Sequence, residues 1–344
     1  MEDQKEAINT IDLPWIEKYR PKNLDDIISH KEIISAIRTF IKNKCLPHLL
    51  LYGPPGTGKS SLVTAAARQL YGKYYPFMVM ELNASDDRGI GVVRGQIKQF
   101  VMSENVFFGK NVKDRKNIFK LVILDETDAM TGDAQAILRK VIEKYTYNTR
   151  FCLICNYIQN INIALQSRCT KFRFQPLSQL DIEEKIKYVA KIENINITNP
   201  GIKTIIKRSI GDMRKVLNIM QATSMAYNIL NDNNINMLIG YPTKHQIEQI
   251  IEIIMTNKLE ESYFKIKQIL HETGLSLNDI ITEFHDIFVG YIIDGTTTYK
   301  YFNKFSNDKI LIILNKLRII EFNQSINVMT NVQLGALIGV FTIN

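Results

Sequence analysis

Disulfide chemistry has little to work with in this chain: its 344 residues include only four cysteines, Cys45, Cys152, Cys155 and Cys169. They are too few and too scattered for a disulfide framework, so a reducing compartment is expected. Cys152 and Cys155 form a C-x-x-C, but it falls in a strand-like run, where residues i and i+3 point to opposite faces. No second ligand pair accompanies them, which disfavours zinc or redox chemistry. Tryptophan occurs once, as Trp15, and reads as core rather than contact. Long apolar runs are missing as well. Each is broken by Lys, Glu or Asn well before the roughly 18 residues of a spanning helix, so no membrane is expected. The opening MEDQKEAINT lacks the basic and then apolar order of a secretory signal, and export is not expected. Neither sign of charge dominates: 43 Lys plus Arg against 35 Asp plus Glu leave +8, which permits a polyanionic partner without requiring one. What is present is ordinary globular material, 45% hydrophobic and 23% charged, which excludes a disordered or collagen-like chain. At about 150 residues per domain, two or three domains are expected.

From His48 to Gln175, short apolar runs alternate with longer amphipathic stretches, a βαβ rhythm. Strands are predicted over residues 48–53, 78–83, 121–126, 150–156 and 170–174. Near-continuous apolar strands indicate a parallel sheet covered on both faces. Such sheets bind ligands at the carboxyl ends of their strands, so GPPGTGKS, NASDD, DETD and Asn156 are expected on one edge. After Pro176 the strand signal stops. Helices are predicted over 178–193, from near Thr198, and over 212–230, then over 245–256, 259–272, 276–293, 307–323 and 331–342, with the polar segment 231–245 as the boundary.

Gly53-Pro54-Pro55-Gly56-Thr57-Gly58-Lys59-Ser60 satisfies G-x-x-x-x-G-K-[ST] after a strand and before a helix. Glycines let backbone N–H groups turn in around phosphate oxygens, and the helix N-terminus adds a favourable dipole. Lys59 is expected on the β/γ-phosphates and Ser60 on Mg²⁺, with Ser61 beside them in the ATP site. The run LVILDE ends in two carboxylates, Asp125 for Mg²⁺ and Glu126 to polarise the attacking water.

GPPGTGK, LNASDDRG, DETD, RFCLICNY, SRCTKFRF and GDMRKVLN, with PWIEKYRPKNLDDII near the start, resemble the small subunits of replication factor C, the eukaryotic clamp loader of the AAA+ class. The resemblance implies an α/β fold: an AAA+ P-loop NTPase with a parallel sheet flanked by helices over 1–175, a small helical lid over 176–237 and an all-helical oligomerisation collar over 238–344. It implies an ATPase, with ATP and Mg²⁺ as cofactors, inside a hetero-pentamer with other replication factor C subunits. That assembly would load the PCNA sliding clamp onto primer-template DNA during replication and repair, in the nucleus. Asn156 would orient the attacking water and Arg214 would touch the γ-phosphate. Arg168 of Ser167-Arg168-Cys169 would be an arginine finger acting in trans. Asn83 would restrain Glu126 until DNA binds, and Tyr19, Arg20 and Pro21 would pack on the adenine.

The stretch 86–100 reads as a helix on which Arg88, Arg94 and Lys98 share a broad face, since residues 94 and 98 lie within about 40° of one another. The resemblance places Arg88 and Arg94 on duplex phosphates, a contact without base readout. QFVMSENVFF resembles the clamp-facing element, although Phe107 and Phe108 sit too late for the usual clamp-binding peptide. The basic run 109–117 reads as a surface insertion. Thr127 in DETD, Ser60 and Asn160 depart from commoner choices in the family, the last at the possible loss of one phosphate contact. A non-hydrolysing scaffold is disfavoured by Glu126, Asn156 and Arg168 together. A helicase loader or Holliday-junction translocase is disfavoured by the SRC motif and the length of the C-terminal region.

Overall fold

The computed structural model describes residues 13–43, 45–85, 91, 93–103, 119–294, 305–326 and 330–342. The chain forms two compact units, Met1–Asn196 with Ile205–Ala222, and Ile197–Thr204 with Thr223–Asn344.

The first unit is organised by strands β1 (Leu49–Tyr52), β2 (Val79–Asn83), β3 (Lys120–Asp125), β4 (Thr149–Cys155) and β5 (Thr170–Arg173). All pair in parallel, in the order β2-β3-β4-β1-β5. Side chains alternate between the faces of a strand, and the two cores follow that alternation. Leu50, Val122, Leu124, Phe151, Leu153 and Cys155 pack on one face, against Leu138 and Ile142 of the helix Gly132–Tyr145. Leu49, Leu51, Leu121, Ile123, Cys152 and Ile154 pack on the other, against Leu62 and Val63 of the helix Lys59–Tyr71. Cys152 and Cys155 therefore lie in different cores. Register aligns Tyr52 with Cys155 and Asn83 with Asp125, so the segments that follow β1, β2, β3 and β4 leave from one edge of the sheet.

The opposite edge is closed by a buried histidine. The Nδ1 of His48 accepts from the Phe151 N–H at 3.1 Å, and its Nε2 lies 3.3 Å from the Thr146 hydroxyl. Burial, with the Arg150 charge beside it, pushes the imidazole down to about 4. The ring is therefore neutral at physiological pH.

In the second unit, residues at helical spacing build one core. Ile247, Ile250, Ile251 and Ile254 meet Ile280, Ile281, Phe284 and Phe288, together with Ile310, Ile313, Leu317, Leu334, Leu337, Ile338 and Phe341. The stretch 231–245, read from sequence as a polar boundary, contains the helix Asp232–Ile239. Asn231 caps its start by accepting from the Asn234 N–H, and Gly240 ends it in the left-handed conformation. Of the amides that read as linker composition, Asn231 thus acts as a helix cap. Along the helix Asn307–Ser325, Leu311, Ile312, Ile319 and Phe322 are exposed opposite the buried face.

His48 gives a pH prediction. Its folded value lies below the ordinary 6.5, so the unfolded chain takes up the proton first, and stability falls as pH drops from about 6.5 towards 4. Above pH 6.5 the group adds no slope. Melting temperatures measured across that window are expected to fall less steeply for His48→Gln than for the unaltered chain.

Candidate functional site

Backbone geometry explains the glycines of the phosphate loop. Gly53 has φ 141°, and a Cβ there would lie 2.2 Å from the Phe174 carbonyl oxygen. Gly56 has φ 68°, and its Cβ would lie 1.6 Å from Asp212 Oδ1. Only a residue without a side chain lets the loop close against both neighbours. Within the loop, the Thr57 hydroxyl donates to the Pro54 carbonyl at 2.9 Å.

Lys59 is 7% exposed, and its ammonium donates to the carbonyls of Gly53 and Pro54, each at 2.7 Å, and to Asn156 Oδ1 at 3.0 Å. Burial lowers its pKa, while the carboxylate of Asp125 opposes that shift. The Ser60 hydroxyl donates to Asp125 Oδ2 at 2.5 Å, and the Glu126 N–H donates to Asp125 Oδ1 at 2.9 Å. A hydroxyl and a carboxylate held together are hard oxygen donors suited to Mg²⁺. Glu126 itself is exposed at φ 52°, a left-handed conformation unusual for a residue with a side chain. The next residue, Thr127, is fully buried, and its hydroxyl donates to the Leu124 carbonyl at 2.9 Å, so the departure from the commoner alanine pins this turn.

These groups wall a cavity of about 410 Å³. Pro55 to Ser61, Asp125, Glu126 and Asn156 line one part; Tyr19, Arg20 and Pro21 line another, together with Arg214. Gly53 and Pro54 serve instead as acceptors for the Lys59 ammonium. Arg214 arrives in the first turn of the helix Met213–Ala226. Its N–H donates to Asp212 Oδ1 at 2.9 Å, while the neighbouring Met213 N–H reaches the Gly56 carbonyl at 3.3 Å. Tyr19 donates its hydroxyl to Glu193, which also receives Lys18 at 2.6 Å. Burial and that hydrogen bond push the Tyr19 phenol upward. Burial alone would raise Glu193, but hydrogen bonds from Lys18 and Tyr19 prevail and hold it below the usual carboxylate range.

Other expected residues stand apart from the cavity. Asn83 ends β2 beside Asp125, and its side-chain oxygen accepts from the Ser85 N–H at 3.0 Å. Arg168 precedes β5, which starts level with the start of β1, so it sits at the edge opposite the phosphate loop. Its guanidinium donates to the Ala164 carbonyl at 2.6 Å and pairs with Glu143. Arg88 and the side chain of Arg94 lie outside the described residues, as do Phe107, Phe108 and the run 109–117. Lys98 is exposed on the short helix Lys98–Met102, which follows a π-helical turn over Val93–Ile97. Lys120 at the start of β3 caps that helix, donating to the Phe100 carbonyl at 2.7 Å and to the Ser103 hydroxyl at 2.7 Å.

Sequence reasoning missed four contributors. Asp128 and Asp212 stood inside DETD and GDMR without an assigned role. Asp128 Oδ2 accepts from the N–H groups of Asn156 and Tyr157 at 3.1 and 3.0 Å. Lys185, which lines the cavity and stands 5.9 Å from the Tyr19 ring centre, carried no signal, and neither did Glu143.

Comparison with known proteins agrees with this geometry. The model of the ATPase family associated with various cellular activities matches residues 49–177, and the replication factor C C-terminal domain matches residues 242–340. Human replication factor C subunit 5 is 43% identical over 343 residues, 99% of this chain and 95% of that protein. Budding yeast replication factor C subunit 3 is 40% identical, covering 95% of this chain and 92% of its own. Among solved structures, the RuvB Holliday junction branch migration motor of Thermotoga maritima aligns with a TM-score of 0.52 at 16% identity, over 75% of this chain and 86% of its own, a likeness of fold. The chain belongs to the replication factor C small subunits, the clamp-loader branch of the AAA+ ATPases.

Proposed function

We propose that this chain is an ATPase subunit of a hetero-pentameric clamp loader that places the PCNA ring on primer-template DNA in the nucleus, during replication and repair. The observation that carries the reading is the pairing of a complete phosphate-loop constellation at one sheet edge with an arginine at the other, remote from that cavity. Lys59, Ser60, Asp125, Glu126, Asn156 and Arg214 meet around one cavity, while Arg168 stands ahead of β5 at the far edge. A four-residue strand such as β5 spans about 13 Å, which separates the finger from its own nucleotide and leaves it to a neighbour.

ATP phosphates would displace the carbonyl and amide oxygens that now hold the Lys59 ammonium. Ser60 and Asp125 would hold Mg²⁺, whose charge neutralises the β- and γ-phosphate oxygens when bound. Glu126 polarises the attacking water, Asn156 orients it, and Arg214 contacts the γ-phosphate from the following helix. Tyr19, Arg20 and Pro21 flank the base. Asn83 acts as the switch that answers to DNA, through Arg88, Arg94 and Lys98 on the adjoining segment. We keep the functional division into a sheet domain to residue 175, a lid over 176–237 and a collar over 238–344. The exposed apolar stripe Leu311, Ile312, Ile319 and Phe322 supports the collar assignment, because packing against a neighbouring subunit would cover it. Among the described residues no helix is long and apolar enough to cross a membrane.

Glu126→Gln, tested in the reconstituted pentamer, is expected to lower ATP turnover at this site by about 10²–10⁴-fold with nucleotide binding retained; unchanged turnover would make the site structural. Arg168→Ala should slow hydrolysis at a neighbour's site by about 10³-fold and leave nucleotide affinity at this chain's own loop intact, checked by assaying each site in assemblies where the others carry the Glu→Gln change. Replacing both Arg94 and Lys98 by Ala should weaken DNA binding on every sequence and flatten its salt dependence by about one unit of slope per lost phosphate contact. Base-selective loss in a salt titration would count against the phosphate-tracking role.

A further inference from the structure

Asp128 lies two residues beyond Glu126, in the 3₁₀ turn Thr127–Ala129. One of its carboxylate oxygens accepts from two successive backbone N–H groups, those of Asn156 at 3.1 Å and Tyr157 at 3.0 Å. Those residues follow the end of β4, where the sheet offers no further partner in register. A carboxylate on paired N–H groups is a charge-assisted contact, stronger than a neutral hydrogen bond. It fixes both the height and the direction of the backbone from which the Asn156 side chain projects.

The same turn is anchored at three other points. The Asp125 carboxylate receives the Ser60 hydroxyl and the Glu126 N–H, and the Thr127 hydroxyl is tied to the Leu124 carbonyl. At the far end, Asn156 Oδ1 receives the Lys59 ammonium. A circuit therefore runs from the phosphate loop through Asp125 to the Glu126 turn and through Asp128 to Asn156, whose amide oxygen holds Lys59 until phosphate replaces it. Without Asp128 the circuit opens between the turn that carries the acid and the turn that carries the amide.

We infer that Asp128 is a positioning residue for hydrolysis, holding Asn156 and Glu126 in one rigid frame through its carboxylate on the Asn156–Tyr157 backbone. It touches no substrate and acts through Asn156, so the inference rests on the water-orienting role read for that residue. Hydrolysis needs both groups aligned on the same water, and an error of an ångström in one costs about 10²-fold in rate. Nucleotide binding depends on the loop and Lys59, and should be spared.

The test uses the reconstituted pentamer with the full-length chain. Turnover at this site is taken as the difference from the Glu126→Gln assembly, and affinity is followed with a fluorescent ATP analogue. Asp128→Ala is expected to lower that turnover by about 10²-fold, with affinity changed by less than about threefold. Asp128→Asn keeps an oxygen in the same place and should retain turnover within about threefold. Asp128→Glu, which displaces the carboxylate by one methylene, should be slow with affinity intact, and it stands in should the alanine variant fail to assemble. In the double variant with Asn156→Ala, removal of Asp128 should cost nothing further, because both changes break one linkage. Full turnover in Asp128→Ala, an asparagine variant as slow as the alanine one, or additive losses in the double variant would each overturn the positioning role. Full turnover in Asn156→Ala alone would instead remove the reading of Asn156 on which it rests, a distinguishable failure.

Discussion

The Lys59 ammonium can stay charged at the base of the phosphate loop because three oxygens from two strand ends surround it. Two come from the loop that follows β1, and the third from Asn156 at the end of β4. Burying a cation costs several kcal/mol unless such partners are in place, so the positions of both loops become a condition on the lysine. Gly53 and Gly56 satisfy that condition locally by letting the chain close against Phe174 and Asp212. The sheet satisfies it globally, because β1 and β4 are hydrogen-bonded neighbours whose carboxyl ends are level. Phosphate oxygens can then replace protein oxygens around a cation whose place is already prepared.

Parallel pairing has a second consequence. Every strand runs the same way, so the sheet has chemically different edges. Carboxyl ends carry the nucleotide groups. At the amino ends are the neutral His48, held under Phe151 and Thr146, and Arg168, steadied by Glu143 and the Ala164 carbonyl. One chain thus bears a nucleotide cavity at one edge and, at the far edge, a guanidinium remote from it. In the proposed assembly, edges of opposite kind would meet and hydrolysis would depend on association; the second unit's exposed apolar helical stripe suits such packing.

Much of this was legible in the sequence because the signals were local. Strand and helix positions followed from apolar periodicity, and the observed strands lie within a residue or two of those expected. GPPGTGKS announced its own conformation, since the glycines stand where the backbone turns left-handed. Cys152 and Cys155 could be set on opposite faces from spacing alone, and they pack in different cores. The segment 231–245 reads as linker from its composition yet contains a helix, because asparagine serves helix caps and linkers equally well.

Sequence by itself determined which residues are candidates for the chemistry, the parallel character of the sheet, and the family, because phosphate loops, apolar strands and acidic strand ends are written in contiguous residues. Tertiary structure alone decided which of those residues meet. Asp128 reaches Asn156 across 28 positions, Lys59 reaches it across 97, and Asp212 stands against Gly56 in the phosphate loop. Such contacts depend on strand order, on the lengths of the crossovers and on the packing that levels the strand ends, and no local pattern encodes them.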